Sequence, residues 1–307
     1  MSSIKSVVVI GASGNVGRET VKALLDAEFQ VTAMTRESSD SKFPGNVEIF
    51  KTDYSPESLK TVFSGKDAVV STIGFEGYKK QFEVVKAAVA AGVKRYIPSE
   101  FGNTREKKSI DVFEQILIDK VQVLDLVKKM AAENKDFTWS ALATGPFFDQ
   151  HMVVENFVGR PGVFGVSLKN RSVEIYDSGS ETVYSTTLPA IGKAVAEVLR
   201  KPEDTANKFL AIYNVKTTQN EILAGLEEIT GEKWKVTKTS TSEALRRGSE
   251  GFAQGDVTAF FDILAADMLE DGAGRGILKG NGKYDNELLG VYVEDIKTVL
   301  NDLLAAA

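Results

Sequence analysis

Hydrophobic positions in the first half of the chain follow two alternating patterns. Between residue 4 and about residue 145, short runs rich in β-branched side chains alternate with longer segments whose apolar residues recur at helical spacing. This alternation is typical of right-handed βαβ units, which build a parallel sheet covered by helices. We therefore expect an α/β fold with a doubly wound parallel sheet. The predicted strands are 5–10, 30–35, 47–51, 67–72, 94–98 and 137–143, and the predicted helices are 15–27, 56–63, 78–91 and 110–134.

The pattern changes after Gly145 and Pro146. Phe-rich and Gly-rich segments replace the alternation, with a hairpin predicted near 171–183 and helices at 188–200, 218–230, 242–247 and 257–270. We expect one domain over residues 1–150 and a smaller, mostly helical substrate lobe over residues 151–307. The segment 184–200 is free to pack back on the first domain, so the two units need not be contiguous in sequence.

A turn with three glycines follows the first predicted strand. Gly11, Gly14 and Gly17 separate four β-branched residues from an amphipathic helix. Glycine permits a tight turn, a close approach of backbone amides to a pyrophosphate, and close packing of helix on strand. The turn predicts a Rossmann-type dinucleotide site at the helix N-terminus, against the alternative of a strand-to-helix turn that binds nothing. The predicted contacts are Gly11, Ala12, Ser13, Gly14, Asn15, Val16 and Gly17.

The end of the second predicted strand indicates which dinucleotide binds. Arg36 stands where an NAD-specific fold carries the acidic residue that binds the ribose hydroxyls. A guanidinium matches phosphate oxygens in charge and geometry, so NADP(H) is predicted. The alternative is that Arg36 is an ordinary surface residue of a loop. Four further residues at strand ends are candidate cofactor contacts, although each could simply form a turn: Asp53, Thr72, Ile73 and Gly74.

One lysine lies on the apolar face of the predicted helix 110–134. Lys120 lies about 20° from Phe113 and about 40° from Leu124 on a helical wheel. Burying an ammonium is costly unless it is paired or loses its proton, and desolvation beside a cationic nicotinamide would favour the neutral form. Lys120 is therefore a candidate general acid/base. The alternative is a lysine whose stem packs on the stripe while its ammonium reaches water.

Composition and missing motifs narrow the possible functions. With a net charge of −6 and no cysteine, the 307-residue chain offers neither a basic stripe for nucleic acid nor a thiolate site, and no metal site is predicted. No apolar stretch is long enough for a signal peptide or a membrane span, so a soluble, cytoplasmic monomer or homodimer is expected. No tyrosine is followed four residues later by lysine, which removes the usual catalytic pair of short-chain reductases.

Several segments resemble isoflavone reductase-like proteins, which belong to the NmrA-like branch of the atypical short-chain reductases and include phenylcoumaran benzylic ether reductases. Residues 91–102 read Ala-Gly-Val-Lys-Arg-Tyr-Ile-Pro-Ser-Glu-Phe-Gly, close to a hallmark of those proteins. The Gly-x-x-Gly-x-x-Gly spacing, Gln81 and residues 144–148 extend the resemblance. It implies that a lysine at the position of Lys120 handles the proton while NADPH delivers hydride. It also implies cofactor contacts at Gln81, Pro98, Ser99, Glu100, Phe101 and Lys120.

These features favour an NADPH-dependent reductase of a small aromatic or polyketide-like metabolite. An apolar pocket floor with one polar group is expected from Phe147, Phe148, His151, Met152 and Phe157, although His151 could equally be a packing residue. Residues 145–148 depart from the sequence of many relatives, which leaves the substrate open. A non-catalytic NAD(P)-binding redox sensor and an NADP-retaining isomerase remain alternatives, and the lysine at position 120 favours an enzyme.

Overall fold

The first layer of the fold is a parallel sheet of seven strands. The structure, a computed structural model, describes residues 3–104, 106–153, 155 and 159–306. The sheet order is β10-β6-β5-β4-β1-β2-β3, and every pair is parallel. In chain order the described strands are β1 Ser6–Ile10, β2 Gln30–Arg36, β3 Glu48–Thr52, β4 Ala68–Ser71, β5 Arg95–Ile97, β6 Thr138–Ala143, β7 Val166–Ser167, β8 Ser172–Tyr176, β9 Val183–Ser185, β10 Lys208–Ala211, β11 Val215–Thr217 and β12 Lys235–Thr239. The predicted doubly wound α/β fold is confirmed.

Helices cover both faces of the sheet and build most of the second half. The two 3₁₀ helices are Phe75–Lys80 and Val257–Ala259. The described α-helices are α1 Asn15–Asp26, α2 Pro56–Phe63, α3 Gln81–Ala90, α4 Asp111–Ile116, α5 Ile118–Glu133, α6 Phe148–Val153, α7 Leu188–Arg200, α8 Pro202–Thr205, α9 Gln219–Thr230, α10 Thr241–Ala253, α11 Phe260–Leu269 and α12 Ile296–Ala306. None of the helices in these ranges is long and apolar enough to cross a bilayer.

Side chains of β1 alternate between two hydrophobic cores because successive residues of a strand point to opposite faces. Val7 and Val9 belong to the core under α1 and α7, whereas Val8 and Ile10 belong to the core under α2, α3 and α5. A third core lies under the helices of the second half. Because β1 pairs with β2 on one side and β4 on the other, the chain order reverses here, and a crevice opens at the carboxyl ends of these strands.

The predicted helix 110–134 is two helices with a break at Leu117. Leu117 has φ −93° and ψ 5° and ends α4 before α5 begins. The break lets the two pieces serve different cores: Phe113 packs in the core of the second half, and Leu124 and Val127 pack under the sheet. One continuous helix could not point its apolar face in both directions. Lys120 follows directly after this break.

Two further expectations for the second half are wrong, and one strand there was missed. The hairpin near 171–183 is wrong, because β8 pairs with β7 and β12 while β9 pairs with β11. The helix predicted at 242–247 is longer and spans Thr241–Ala253. The seventh strand β10 was not predicted, although it pairs with β6. Buried Arg95 helps to hold the segment before β10, because its guanidinium donates to the hydroxyls of Ser140 and Thr205 at 2.9 Å.

Candidate active site

The glycine turn between β1 and α1 is packed so closely that side chains are excluded at two positions. Gly11 has φ +73°, and a Cβ there would lie 2.8 Å from the carbonyl oxygen of Thr72, which directly follows β4. A Cβ on Gly17 would lie 2.2 Å from the carbonyl oxygen of Gly11, so α1 rests directly on the turn. The amide of Arg18 donates to the carbonyl of Gly14, which leaves the preceding amides of the first turn for groups outside the helix. This arrangement suits an anion.

A continuous cleft runs from this turn between the sheet and the second half of the chain. It consists of one cavity of about 600 Å³ and another of about 340 Å³. The residues shared by both cavities show that they join: Gly14, Thr72, Ile73, Gly74, Tyr78, Leu117 and Phe260. The larger cavity extends over the end of β2, and the smaller one extends over residues 99–103 to α5 and α6. The combined space lies at the carboxyl ends of the strands where the chain order reverses, which is where α/β folds bind ligands.

The outer end of the larger cavity carries two cations. Arg36 ends β2 there, and the ammonium of Lys80 lies 4.4 Å from the ring centroid of Tyr54. Thr35 also lines this cavity, and its hydroxyl oxygen is buried without a hydrogen-bond partner among the described residues. The two cations, the orphaned hydroxyl and the glycine turn match the phosphates and ribose of a dinucleotide. The residues present therefore fit the predicted NADP(H).

Lys120 reaches the smaller cavity from the first turn of α5. Its side chain is 8% exposed, and its ammonium donates to the carbonyl oxygen of Glu100 at 3.1 Å. The same nitrogen lies 5.0 Å from the centroid of the Tyr78 ring. The lysine is thus buried and held by neutral groups at the cavity wall, which differs from the alternative of an ammonium that reaches bulk water.

The loop that carries Glu100 is fixed by buried hydrogen bonds. The side-chain oxygen of Gln81 accepts from the amide of Ser99 at 3.1 Å, and the hydroxyl of Ser99 donates to the carbonyl of Ile73 at 2.8 Å. The amide of Glu100 donates to the carbonyl of Pro98 at 2.8 Å. Gln81 and Pro98 line neither cavity. Their contacts orient the loop behind the cavity wall.

Two titratable residues of α6 have strongly shifted pKa values. Burial lowers the pKa of His151 to about 4, and its Nδ1 accepts from the amide of Val163 at 3.4 Å. Burial raises the pKa of Asp149 to about 6, although that carboxylate accepts from the amide of Leu188 at the start of α7. His151 lines the smaller cavity and is neutral at neutral pH. It offers a polar group without a charge.

Most residues predicted from the sequence lie at the cleft. Those that line it are Gly11, Ser13, Gly14, Asn15, Val16, Arg36, Thr72, Ile73, Gly74, Ser99, Glu100, Phe101, Lys120, Phe147 and His151. Ala12 and Gly17 are buried behind the turn. Asp53 lines neither cavity, since its carboxylate is exposed and accepts from the amide of Ser55 at 2.8 Å before α2. It has the turn-forming role that the sequence left open.

The predicted pocket floor is only partly at the cavity surface. Phe148 and Met152 are almost fully buried, and they pack in the core of the second half rather than line either cavity. Because α6 is helical, Phe147 and His151 share the face toward the cavity, and Phe148 and Met152 share the face toward the core. Phe157 lies outside the described residues. No group of three His, Asp or Glu side chains suited to a metal occurs in the described ranges.

The sequence reasoning missed the aromatic wall of the larger cavity. Its rings are those of Phe75, Tyr78, Phe252, Phe260 and Phe261, and Leu117 lies beside them. Phe75 and Phe252 come from opposite sides of the cleft, and their ring centroids are 6.2 Å apart. Phe75 is 45% exposed, and it lines the open larger cavity. The adjacent pair of phenylalanines at 260 and 261 was the one sequence signal that could have indicated this wall.

Comparisons with known proteins agree with this geometry. A sequence model described as the NmrA-like family matches residues 3–254. "Oxidoreductase poxI" of Penicillium oxalicum is 33% identical over 294 residues, covering 95% of this chain and 92% of that protein. "Oxidoreductase aprR" of Aspergillus flavus is 33% identical over 302 residues, covering 97% and 98%. Among solved structures, a leucoanthocyanidin reductase–NADPH complex from Vitis vinifera superposes with a TM-score of 0.78 at 19% identity, covering 98% of this chain and 99% of that one.

Proposed function

This chain belongs to the NmrA-like family and is an NADP-dependent oxidoreductase, and we propose that it reduces a small aromatic or polyketide-like molecule with Lys120 as the general acid/base. The observation that carries the proposal is the position of Lys120. Its ammonium is buried at the wall of the cavity that continues from the glycine turn, within hydrogen-bond distance of a backbone carbonyl. A buried, positioned ammonium can transfer a proton to a reacting oxygen or carbon.

The residues of the larger cavity divide the work of binding. The glycine turn and the N-terminus of α1 would hold the pyrophosphate, and Arg36 with Lys80 would face the 2′-phosphate at the outer end. Bound NADPH supplies a hydride from C4 of its nicotinamide ring. In this proposal residues 1–150 bind the dinucleotide and residues 151–307 form the substrate lobe, although α7 packs on α1.

The aromatic wall supports the substrate class. Tyr78, Phe252 and Phe260 surround space that continues into the smaller cavity beside Lys120. Flat aromatic molecules gain both burial and ring stacking in such a space. Phe147 and the neutral His151 line the far end of the smaller cavity. The expected substrate is therefore apolar with few charges.

A panel assay tests the proposal. Purified protein is mixed with NADPH and with quinones, enones, ketones and benzylic ethers, and the loss of NADPH absorbance is followed. We expect turnover of at least one aromatic compound, and a loss of roughly 100- to 10,000-fold in kcat for Lys120→Ala at unchanged NADPH affinity. Full activity of Lys120→Ala would refute the role of the lysine. Tight NADPH binding without turnover of any compound would favour a redox sensor.

A further inference from the structure

The structure places an aromatic ring against the ammonium of Lys120, although no tyrosine precedes that lysine on its own helix. We propose that Tyr78 is the positioning residue of the active site, and that its ring face together with the Glu100 carbonyl holds the Lys120 ammonium at the cavity wall. The proposal deepens the proposed function and rests on it, because it assumes that Lys120 is the group that transfers the proton.

The Lys120 ammonium has a partner on each of two sides. The carbonyl oxygen of Glu100 lies 3.1 Å from Nζ, and the centroid of the Tyr78 ring lies 5.0 Å from it. An ammonium within about 6 Å of a ring centroid is attracted by the negative face of the ring, and the attraction strengthens when water is excluded. Lys120 is 8% exposed, so this contact belongs to the stronger class.

The segments that carry these two partners, the Tyr78 ring and the Glu100 carbonyl, are joined by hydrogen bonds. Tyr78 lies in the 3₁₀ helix Phe75–Lys80, and Gln81 follows it as the first residue of α3. The side chain of Gln81 accepts from the amide of Ser99, next to Glu100. The hydroxyl of Ser99 in turn bonds to the carbonyl of Ile73, shortly before that 3₁₀ helix. These hydrogen bonds tie the segment that carries the Tyr78 ring to the loop that carries the Glu100 carbonyl.

Tyr78 lies in the cleft where the two cavities meet. It lines both cavities, as do Leu117 and Gly74, so it stands where the dinucleotide space meets the space beside Lys120. Its ring contacts Phe75 edge-on at 5.7 Å, which limits its rotation. A ring at this junction can orient the lysine toward the reacting atoms of whatever fills the cleft. The role depends on the ring and not on the hydroxyl, which distinguishes it from a catalytic tyrosine.

A spectroscopic experiment tests the contact without any substrate. Protein labelled with ¹³C at the lysine ε position is compared by NMR as wild type, Tyr78→Phe and Tyr78→Leu, with the Lys120 signal assigned from Lys120→Arg. We expect a ring-current shift of the Lys120 ε-methylene signal that persists in Tyr78→Phe and disappears in Tyr78→Leu. Lys128, whose ammonium lies 5.8 Å from the centroid of the Trp139 ring, is the internal control that should not change. An unchanged Lys120 signal in Tyr78→Leu overturns the proposal.

A double-mutant cycle tests the consequence for catalysis with the compound of the panel that reacts fastest. Tyr78→Leu should lower kcat roughly 10-fold, and Tyr78→Phe should retain it, because Phe preserves the ring face. In the Lys120→Ala background, Tyr78→Leu should have no further effect on the residual rate. An equal loss in both backgrounds would show that the ring is merely part of the wall. Failure of every panel compound would refute the proposed function, whereas the NMR result would still decide the contact.

Discussion

The two ends of the cleft are built in opposite ways. At the end that we propose for the phosphates, called the phosphate end, Gly11, Gly14, Gly17 and Arg36 come from one βαβ unit, and the groups available for binding are largely backbone amides. At the aromatic end, Tyr78 comes from the first half of the chain, whereas Phe252 and Phe260 come from α10 and α11. The phosphate end thus depends on backbone geometry that a short motif encodes. The aromatic end depends on side chains that tertiary packing brings together.

The comparison predicts different responses to substitution. A defect in backbone geometry should affect both the fold and cofactor binding, because the same close contact serves both. A defect in an aromatic side chain should affect substrate recognition and leave the rest intact, since surface side chains contribute little to global stability. Substitutions at Gly17, Arg36 and Phe252 test this difference, from the largest expected effect to the smallest, and substitutions at Asp149 and His151 test the junction of the two halves.

Gly17→Ala should have the largest effect. The new Cβ would lie 2.2 Å from the carbonyl oxygen of Gly11, so α1 must move away from the turn. We expect the Kd for NADPH to rise by more than about 100-fold and the free energy of unfolding to fall by about 2 to 3 kcal/mol. Fluorescence titration and urea unfolding measure the two quantities. Gly45→Ala is the control, since its Cβ would meet open space, and wild-type behaviour of Gly17→Ala would disprove the close packing.

Arg36→Ala should separate the two nicotinamide cofactors. The guanidinium at the end of β2 faces the cavity end that we assign to the 2′-phosphate, which NADH lacks. Loss of a charge-assisted pair should raise the Kd for NADPH roughly 30-fold and that for NADH less than about 3-fold. Titration of both cofactors measures this ratio.

Lys51→Ala is the matched control for charge. Lys51 lies on the neighbouring strand β3, its ammonium is 3.7 Å from the carboxylate of Asp40, and it lines neither cavity. Lys51→Ala removes the same charge from the neighbouring strand, so a change common to both variants reflects the long-range electrostatic field rather than a contact in the cavity. Equal weakening of NADPH and NADH by Arg36→Ala would contradict the cofactor assignment.

The same contrast explains how much could be predicted from the sequence. The six strands predicted in the first half lie within two residues of the observed ones, because β-branched runs between amphipathic helices have one stable arrangement in a parallel sheet. The burial of Lys120 could also be predicted, since its spacing from Leu124 places both on the inner face of α5, although Phe113 belongs to α4 and packs in a different core. Both are local signals.

What the sequence could not predict is non-local. The segment 171–183 does carry turn signals, with φ +51° at Asp177 and φ +70° at Gly179, but β8 finds its partners at β7 and β12. In the same way, Phe252 and Phe260 reach the cleft only because α10 and α11 pack against each other over it. Nothing in a short window of sequence encodes such pairings. The break at Leu117 has the same origin, since α4 and α5 pack in different cores.

At the junction of the two halves, Asp149 and His151 of α6 should have opposite effects on the pH dependence of stability. His151 has a pKa of about 4 in the folded state against 6.5, so the unfolded state binds more protons and stability falls as the pH drops between these values. Asp149 has a folded pKa of about 6 against 3.8, so its contribution to stability rises as the pH drops. Over its full titration range, each group changes the free energy of unfolding by about 3 kcal/mol, and the two changes nearly cancel.

Asp149→Asn should remove this cancellation. Its amide oxygen can still accept from the amide of Leu188, but it no longer gains a proton in acid. We expect the free energy of unfolding to fall by about 2 kcal/mol more than in the wild type when the pH is lowered from 6 to 4, as measured by urea unfolding at each pH. His151→Gln should change the slope in the opposite direction. Parallel curves for the wild type and both variants would disprove the assignment.

Phe252→Leu should have the smallest effect and the most local one. It removes the edge-on contact with Phe75 across the mouth of the cleft but keeps an apolar side chain of similar size. An aromatic pair contributes about 1 kcal/mol beyond its buried area, so the KM for an aromatic substrate should rise about 5-fold. Phe209→Leu makes the same change on β10, away from both cavities, and should leave KM unchanged. If Phe252→Leu instead raised the Kd for NADPH as much as Arg36→Ala does, the Phe252 side chain would contribute to cofactor binding as well as to substrate binding. The aromatic wall would then belong to the phosphate end.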